Sequence, residues 1–194
     1  MNFVILSSSR GTTMQTVLNR IADGSLTANC KGLVSDKEDR GCIQIAKDAG
    51  LPYIIVKKEK NENQEEYDIR LNDAIRSFSN DDNTYIACLG WMFLLSPWFI
   101  DKWRNKIVNV HPALLPKFPG AHAISDALNA GATKTGMTIH YIDEGVDTGP
   151  IIKQASCPIL DDDTEESLKE RIQELEKKEY PKVLQEIEEG KPSL

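Results

Sequence analysis

Short continuous apolar runs alternate along this chain with stretches in which apolar side chains return every three or four positions. NFVIL, residues 2–6, leads through a hydroxyl-rich loop to Met14, Val17, Leu18 and Ile21 at helical spacing, closed by Gly24. This is strand, tight loop, helix. KGLVSD then reads as a second strand, GCIQIAKDAG as a helix stopped by Gly50, and PYIIV as a third strand. After a polar loop over 57–64, the positions Tyr67, Leu71, Ala74 and Ile75 mark one face of a helix over 64–78.

TYIACLGW is apolar almost throughout, as a strand buried on both faces of a parallel sheet must be. SPWFIDKW opens a helix with a Ser cap and a Pro in the first turn, and KIVNVH reads as the next strand. Beyond a proline-rich loop, HAISDALNAG ends on Gly131 as a helix does. GMTIHYID and PIIKQASCPI then alternate as two strands that the Gly-rich turn between them allows to pair antiparallel. The charged stretch 163–189 carries Leu168, Ile172, Leu175, Val183, Leu184 and Ile187 at helical intervals, and Pro181 is expected to bend or break it.

This alternation predicts an α/β fold: a doubly wound, mostly parallel sheet with helices on both faces, an antiparallel C-terminal strand and a closing C-terminal helix, as one domain over 1–194. Ligands of such sheets collect at the carboxyl ends of the strands. The unusual segments 7–13, 90–94 and 109–120 all fall at such ends.

Composition narrows the function. Hydrophobic residues at 40% and charged residues at 27% describe a chain able to bury a core, and the net charge of -7 argues against a nucleic-acid partner, whose phosphates require clustered cations. Cys30, Cys42, Cys88 and Cys157 lack C-x-x-C spacing and read as reduced thiols. No apolar run approaches the roughly 18 residues that span a bilayer, and the first residues lack a basic segment, so a cytoplasmic location without membrane partners is expected.

The densest chemistry lies in NVHPALLPKFPG, 109–120. Asn109 and His111 are two apart near a strand end, so the pleat sends an amide and an imidazole to one face, and Pro112, Pro116 and Pro119 restrict the loop that leaves it. IDEGVDTGP supplies Asp143, Glu144 and Asp147, any of which would orient a histidine or a water. The same residues also fit a capping Asn, a hydrogen-bonded core His and an acidic turn kept for its backbone.

NVHPALLPKFPG followed by TGMTIHYIDEGVDTGPII resembles the signature of the folate-dependent formyltransferases. The resemblance extends to MNFVILSSSRGTTMQTVLNRI, LGWMFLLSP and RIQELEKKEYPKVL, and so to most of the chain. It implies a Rossmann-like formyltransferase fold and transfer of a formyl group from the cosubstrate 10-formyltetrahydrofolate to a small-molecule primary amine, that of glycinamide ribonucleotide in purine biosynthesis. Asn109, His111 and Asp147 stand at the family's catalytic positions. The chemistry agrees: attack on a formyl carbon builds an oxyanion, which an Asn amide and a protonated His can receive, while a carboxylate manages the proton. Trp91, Met92, Phe93, Leu94 and Leu95, with Ile142, Asp143 and Glu144, correspond to the folate pocket. Arg10, Gly11, Thr12 and Thr13 correspond to the phosphate loop, and Glu176 to a carboxylate for ribose hydroxyls.

The first loop departs from the family. Ser9-Arg10-Gly11-Thr12-Thr13 replaces a run like Gly-Asn-Gly-Ser-Asn, so Ser9 and Arg10 stand where unusual backbone angles are tolerated, although Arg10 adds a bidentate donor. Phe93 and Gln64 occupy commonly basic positions, which points to altered contacts with a folate tail or phosphate. Another small amine or a sugar-nucleotide amine therefore stays open as acceptor. A formyltetrahydrofolate hydrolase is a further alternative, though that family usually carries an extra N-terminal regulatory domain and here the first strand begins at Asn2. A noncatalytic nucleotide-binding module would need the G-x-G-x-x-G that this loop lacks. His111, His122 and His140 show no ligand spacing, so no metal is expected, and His140, facing as Thr138 does, reads as structural or as support for the site. An exposed edge or helix face would support a homodimer.

Overall fold

Successive side chains of β1 (Asn2–Leu6) enter different cores: Phe3 and Ile5 pack on one side of the sheet, Val4 and Leu6 on the other. Burial on both faces is why this strand is an unbroken apolar run. The computed structural model describes residues 1–191. In chain order, β1 is followed by α1 (Thr12–Ala22), β2 (Asn29–Ser35), α2 (Gly41–Asp48), β3 (Tyr53–Ile55), α3 (Gln64–Phe78) and β4 (Thr84–Cys88). Then come α4 (Pro97–Lys102), β5 (Ile107–His111), α5 (Ala123–Asn129), β6 (Lys134–Tyr141), β7 (Ile151–Pro158) and α6 (Glu165–Glu188).

The sheet order is β3-β2-β1-β4-β5-β6-β7. All pairs from β3 to β5 are parallel, and β6 alone runs against the rest, pairing antiparallel with both β5 and β7. One core joins Met14 and Val17 of α1, Ile43 of α2, Ile124 of α5 and Leu168 of α6 to the sheet, and the opposite core holds Tyr67 and Leu71 of α3 with Phe99 and Trp103 at α4. Strand order reverses between β1 and β4, the switch point where loops diverge and leave a crevice. Ser8 N–H donates to the Gly90 carbonyl at 3.1 Å and the Ser7 hydroxyl to the Leu89 carbonyl at 2.7 Å, joining the two loops there.

Two boundaries differ from the sequence reading. The strand expected over TYIACLGW ends at Cys88, because Gly90 turns the chain at φ +73. Pro181, expected to bend or break the tail, lies inside one uninterrupted helix. A proline there costs about 3 kcal/mol. Full burial of Leu168, Ile172, Tyr180, Val183 and Leu184 contributes about 1.5–3 kcal/mol per large apolar side chain and outweighs it. The Tyr180 hydroxyl also donates to the Val108 carbonyl at 2.8 Å, tying α6 to β5.

Candidate active site

The carboxyl ends of β1, β4 and β5 open on a cavity of about 780 Å³. Its border includes 8–14 after β1, 39–41 after β2, 88–95 after β4, 109–112 and 120–124 around the proline-rich loop, 142–147 after β6, and Glu165, Lys169, Ile172, Gln173 and Glu176 of α6. Apart from Gln64, every residue singled out for catalysis, folate or phosphate lies on this border, which brings together positions as far apart in sequence as Arg10 and Glu176.

His111 is 4% exposed and held from two directions. Its Nε2–H donates to the Phe118 carbonyl at 2.8 Å, and its Nδ1 lies 3.2 Å from Asp147 Oδ2, which also accepts the Gly120 N–H at 2.7 Å. Phe118 and Asp147 both have φ of 55, the left-handed region that side chains with a Cβ avoid. Behind the ring, Thr138 faces His111 across the β5–β6 ladder; its hydroxyl donates to the Ala113 carbonyl and accepts the Leu115 N–H. Gln154 of β7 adds a bond to the Leu115 carbonyl at 2.9 Å. The prolines and these contacts fix the loop that presents His111.

Burial pushes the His111 pKa below its ordinary value, against the Phe118 carbonyl and the Asp147 charge, which act to raise it. Burial thus acts against the charged imidazole expected from sequence, while the acceptors at its two ring nitrogens, the Phe118 carbonyl and Asp147, act in its favour. Burial also acts to raise the Asp147 carboxyl, but the neighbouring imidazoles of His140 and His111 and the Gly120 N–H outweigh it and hold Asp147 ionised. Of the other two acidic residues of the turn, Asp143 is engaged in shaping it, accepting from Gly145 N–H and the Thr148 hydroxyl, and Glu144 is exposed.

Around α1 the cavity wall is polar. Gly11 caps the helix at φ +82 without a side-chain acceptor, leaving the first backbone N–H groups unclaimed by a cap. Ser9 and Arg10 are not among the positive-φ residues, so the one left-handed position in the loop falls on its glycine and neither substitution strains the backbone. Thr13 Oγ1 donates to Glu176 Oε2 at 3.2 Å, and burial pushes Glu176 up to about 7 against Thr13, Lys169 and Lys177. Among the described residues no group of three or more His, Cys, Asp or Glu is arranged for a metal ion. No helix among them is long and apolar enough to cross a membrane.

A family model described as "Formyl transferase" matches residues 1–184. The chain belongs to the formyl transferase family. Among family relatives, phosphoribosylglycinamide formyltransferase of Bacillus subtilis is 33% identical over 95% of this chain and 93% of that protein. The trifunctional purine biosynthetic protein adenosine-3 of Drosophila melanogaster is 37% identical over 96% of this chain, which spans only 14% of that protein's length. The crystal structure of glycinamide ribonucleotide transformylase 1 from Symbiobacterium toebii superposes with a TM-score of 0.93 at 31% identity, covering 98% of this chain and 88% of that one.

Within this formyl transferase His140, read from sequence as structural or as support for the site, touches two of the candidate catalytic residues. Its Nε2 lies 3.1 Å from Asn109 Nδ2 and 3.6 Å from Asp147 Oδ1. The missing signal is register: β6 runs back along β5 and sets His140 opposite Asn109. Gln64, read as standing at a commonly basic position whose loss alters contacts with a folate tail or phosphate, ties α3 to the loop after β4, donating to Asp68 at 2.9 Å and to the Leu94 carbonyl at 2.7 Å and accepting from Lys58 at 2.7 Å. Phe93 packs between Trp91 and Tyr67 with ring centroids 5.3 and 5.9 Å away.

Proposed function

We propose that this chain transfers a formyl group from 10-formyltetrahydrofolate to the primary amine of glycinamide ribonucleotide, with Asn109, His111 and Asp147 at the reacting centre. One observation carries the reading: an amide, an imidazole and a carboxylate meet on the wall of a cavity that also borders an uncapped helix N-terminus and an aromatic loop. The first feature suits a phosphate and the second a flat heterocycle.

The amine attacks the formyl carbon, and charge grows on the formyl oxygen. Nδ2–H of Asn109 and Nε2–H of His111 are the donors for that oxygen, the latter exchanging the Phe118 carbonyl for it. As charge builds, His111 gains affinity for a second proton on Nδ1, the atom that faces Asp147. Asp147 takes the proton lost by the amine, and the collapsing intermediate releases the folate nitrogen as that proton is returned. Residues 91–95 and 142–144 hold the pterin of the donor. The N–H groups of Thr12 and Thr13, with the Arg10 guanidinium, hold the acceptor's phosphate beside Gly11, whose own N–H is donated to the Ser9 hydroxyl, and Glu176 holds its ribose hydroxyls.

The test is release of tetrahydrofolate from 10-formyltetrahydrofolate in the presence of glycinamide ribonucleotide, of other small amines, and of no amine. Release that requires glycinamide ribonucleotide is expected. Release without any amine makes the protein a hydrolase, and preference for a different amine reassigns the acceptor.

A further inference from the structure

We propose that His140 is a positioning residue that decides which end of the Asn109 amide faces the reacting oxygen. The proposal rests on the formyl transfer put forward above and assigns a task to a residue outside the trio.

The hydrogen-bond roles follow from the partners. His140 Nδ1 lies 2.9 Å from the Tyr141 carbonyl, which only accepts, so Nδ1 carries a hydrogen. In the neutral ring Nε2 is then a bare lone pair, and at 3.1 Å it accepts from Asn109 Nδ2. An amide turned the other way would set Oδ1 against that lone pair, two acceptors face to face. His140 is 1% exposed, so little water is on hand to mediate between them. Asp147 Oδ1 lies farther from Nε2, at 3.6 Å, so Asn109 is the nearer partner of that nitrogen.

The Asn109 amide is thus locked with one Nδ2 hydrogen on His140 and the second left for an oxygen in the cavity. Without the lock the amide is free to present Oδ1 to a growing negative charge, which repels it. The backbone builds the lock: Asn109 and His140 are opposed in the β5–β6 ladder, and the register of β6 against β7 shifts between Ile139 and His140. His140 acts through Asn109 and needs no contact with substrate.

His140→Leu removes the acceptor; His140→Gln retains one. Loss of an oxyanion donor costs roughly 10²–10³ in turnover, so His140→Leu should lower kcat by about 10²-fold with both KM values within about threefold, and His140→Gln should recover at least about tenfold of the loss. In an Asn109→Ala background the Leu substitution should change kcat by less than about threefold, because the amide it orients is gone. Unchanged kcat in His140→Leu, or the full loss repeated in the Asn109→Ala background, overturns the proposal.

If His140→Leu does not fold, the His140→Gln kinetics and ¹⁵N–¹H spectra of the wild-type histidine rings decide. A proton on Nδ1 with Nε2 bare is expected; a proton on Nε2 overturns the lock while leaving formyl transfer standing. An inert wild-type protein that shows the Nδ1–H tautomer instead refutes the reaction and keeps the amide orientation.

Discussion

His111 Nδ1 lies 3.2 Å from Asp147 Oδ2, and both residues are held by backbone of the one proline-rich loop: Gly120 N–H on the carboxylate and the Phe118 carbonyl on the imidazole. Phe118 and Asp147, the two residues gripping the ring, both sit at φ 55, conformations that cost about 1–3 kcal/mol each and persist only where surrounding structure enforces them. Here the enforcement comes from Thr138, Gln154 and the β6–β7 turn. The pair is therefore organised before substrate arrives.

Asp147→Asn keeps an acceptor for the Gly120 N–H but cannot take a proton. It should lower kcat by about 10²–10⁴ while the melting temperature stays close to wild type. His111→Ala should lower kcat by roughly 10²–10³. Steady-state kinetics beside circular dichroism separate lost chemistry from lost fold, and near-normal turnover in either variant removes that residue from the reaction.

Glu176 gives the protein a pH signature. Its folded-state pKa of about 7 exceeds the ordinary 4.5, so between those values the folded chain keeps a proton that the unfolded chain has released. Stability falls as pH rises through this window and levels off above it. Glu176→Gln lacks the slope: it should match wild type near pH 4 and exceed it at pH 8 by on the order of 2 kcal/mol, a figure discounted for the water that reaches the cavity. Urea midpoints of both proteins across pH 4–8 check it. A wild type that gains on the variant as pH rises would show the carboxylate to be stabilised as the anion.

Much of this architecture was legible because its forces are local. Parallel strands buried on both faces read as apolar runs, and Asn109 and His111 share a face because the pleat repeats every two residues. What escaped depends on distant partners. Pro181 looks like a helix breaker until the core that α6 enters is known. That Gln64, at a commonly basic position, bonds the Leu94 carbonyl depends on a loop 30 residues away. His140 looks like a neighbour of Thr138, and only the pairing of β6 with β5 shows that it touches Asn109.

Asp68 links α3 to the loop proposed for the pterin. It is fully buried, accepts the Ser96 N–H at 2.5 Å and the Gln64 amide at 2.9 Å, and burial raises its pKa despite these bonds. Asp68→Ala strands the buried Ser96 N–H, while the Gln64 amide keeps its bond to the Leu94 carbonyl. Leaving a buried donor unpaired costs about 1–3 kcal/mol, and a loss of that size is expected in urea denaturation. Because Ser96 anchors the end of the 91–95 loop, KM for the formyl donor should rise severalfold with KM for the amine little changed. Equal changes in both would place the folate elsewhere.

Gly149 tests whether the position of Asp147 is set by the turn that carries it. A Cβ at Gly149 would lie 1.8 Å from the Tyr141 carbonyl oxygen, a backbone atom of β6 that cannot swing aside. One at Gly145 would meet the Thr148 hydroxyl at 2.0 Å, and that side chain can rotate by giving up its bond to Asp143. Gly149→Ala must therefore push the turn off the strand end, costing about 1–3 kcal/mol as overpacking does. It should also carry Asp147 away from His111; a misplacement of about 1 Å can cost about 10² in rate. Gly145→Ala should lose well under tenfold in kcat. Melting curves and kcat for the two variants give the contrast, and a Gly149→Ala enzyme that is destabilised yet fully active would mean that the carboxylate is held by Gly120 alone.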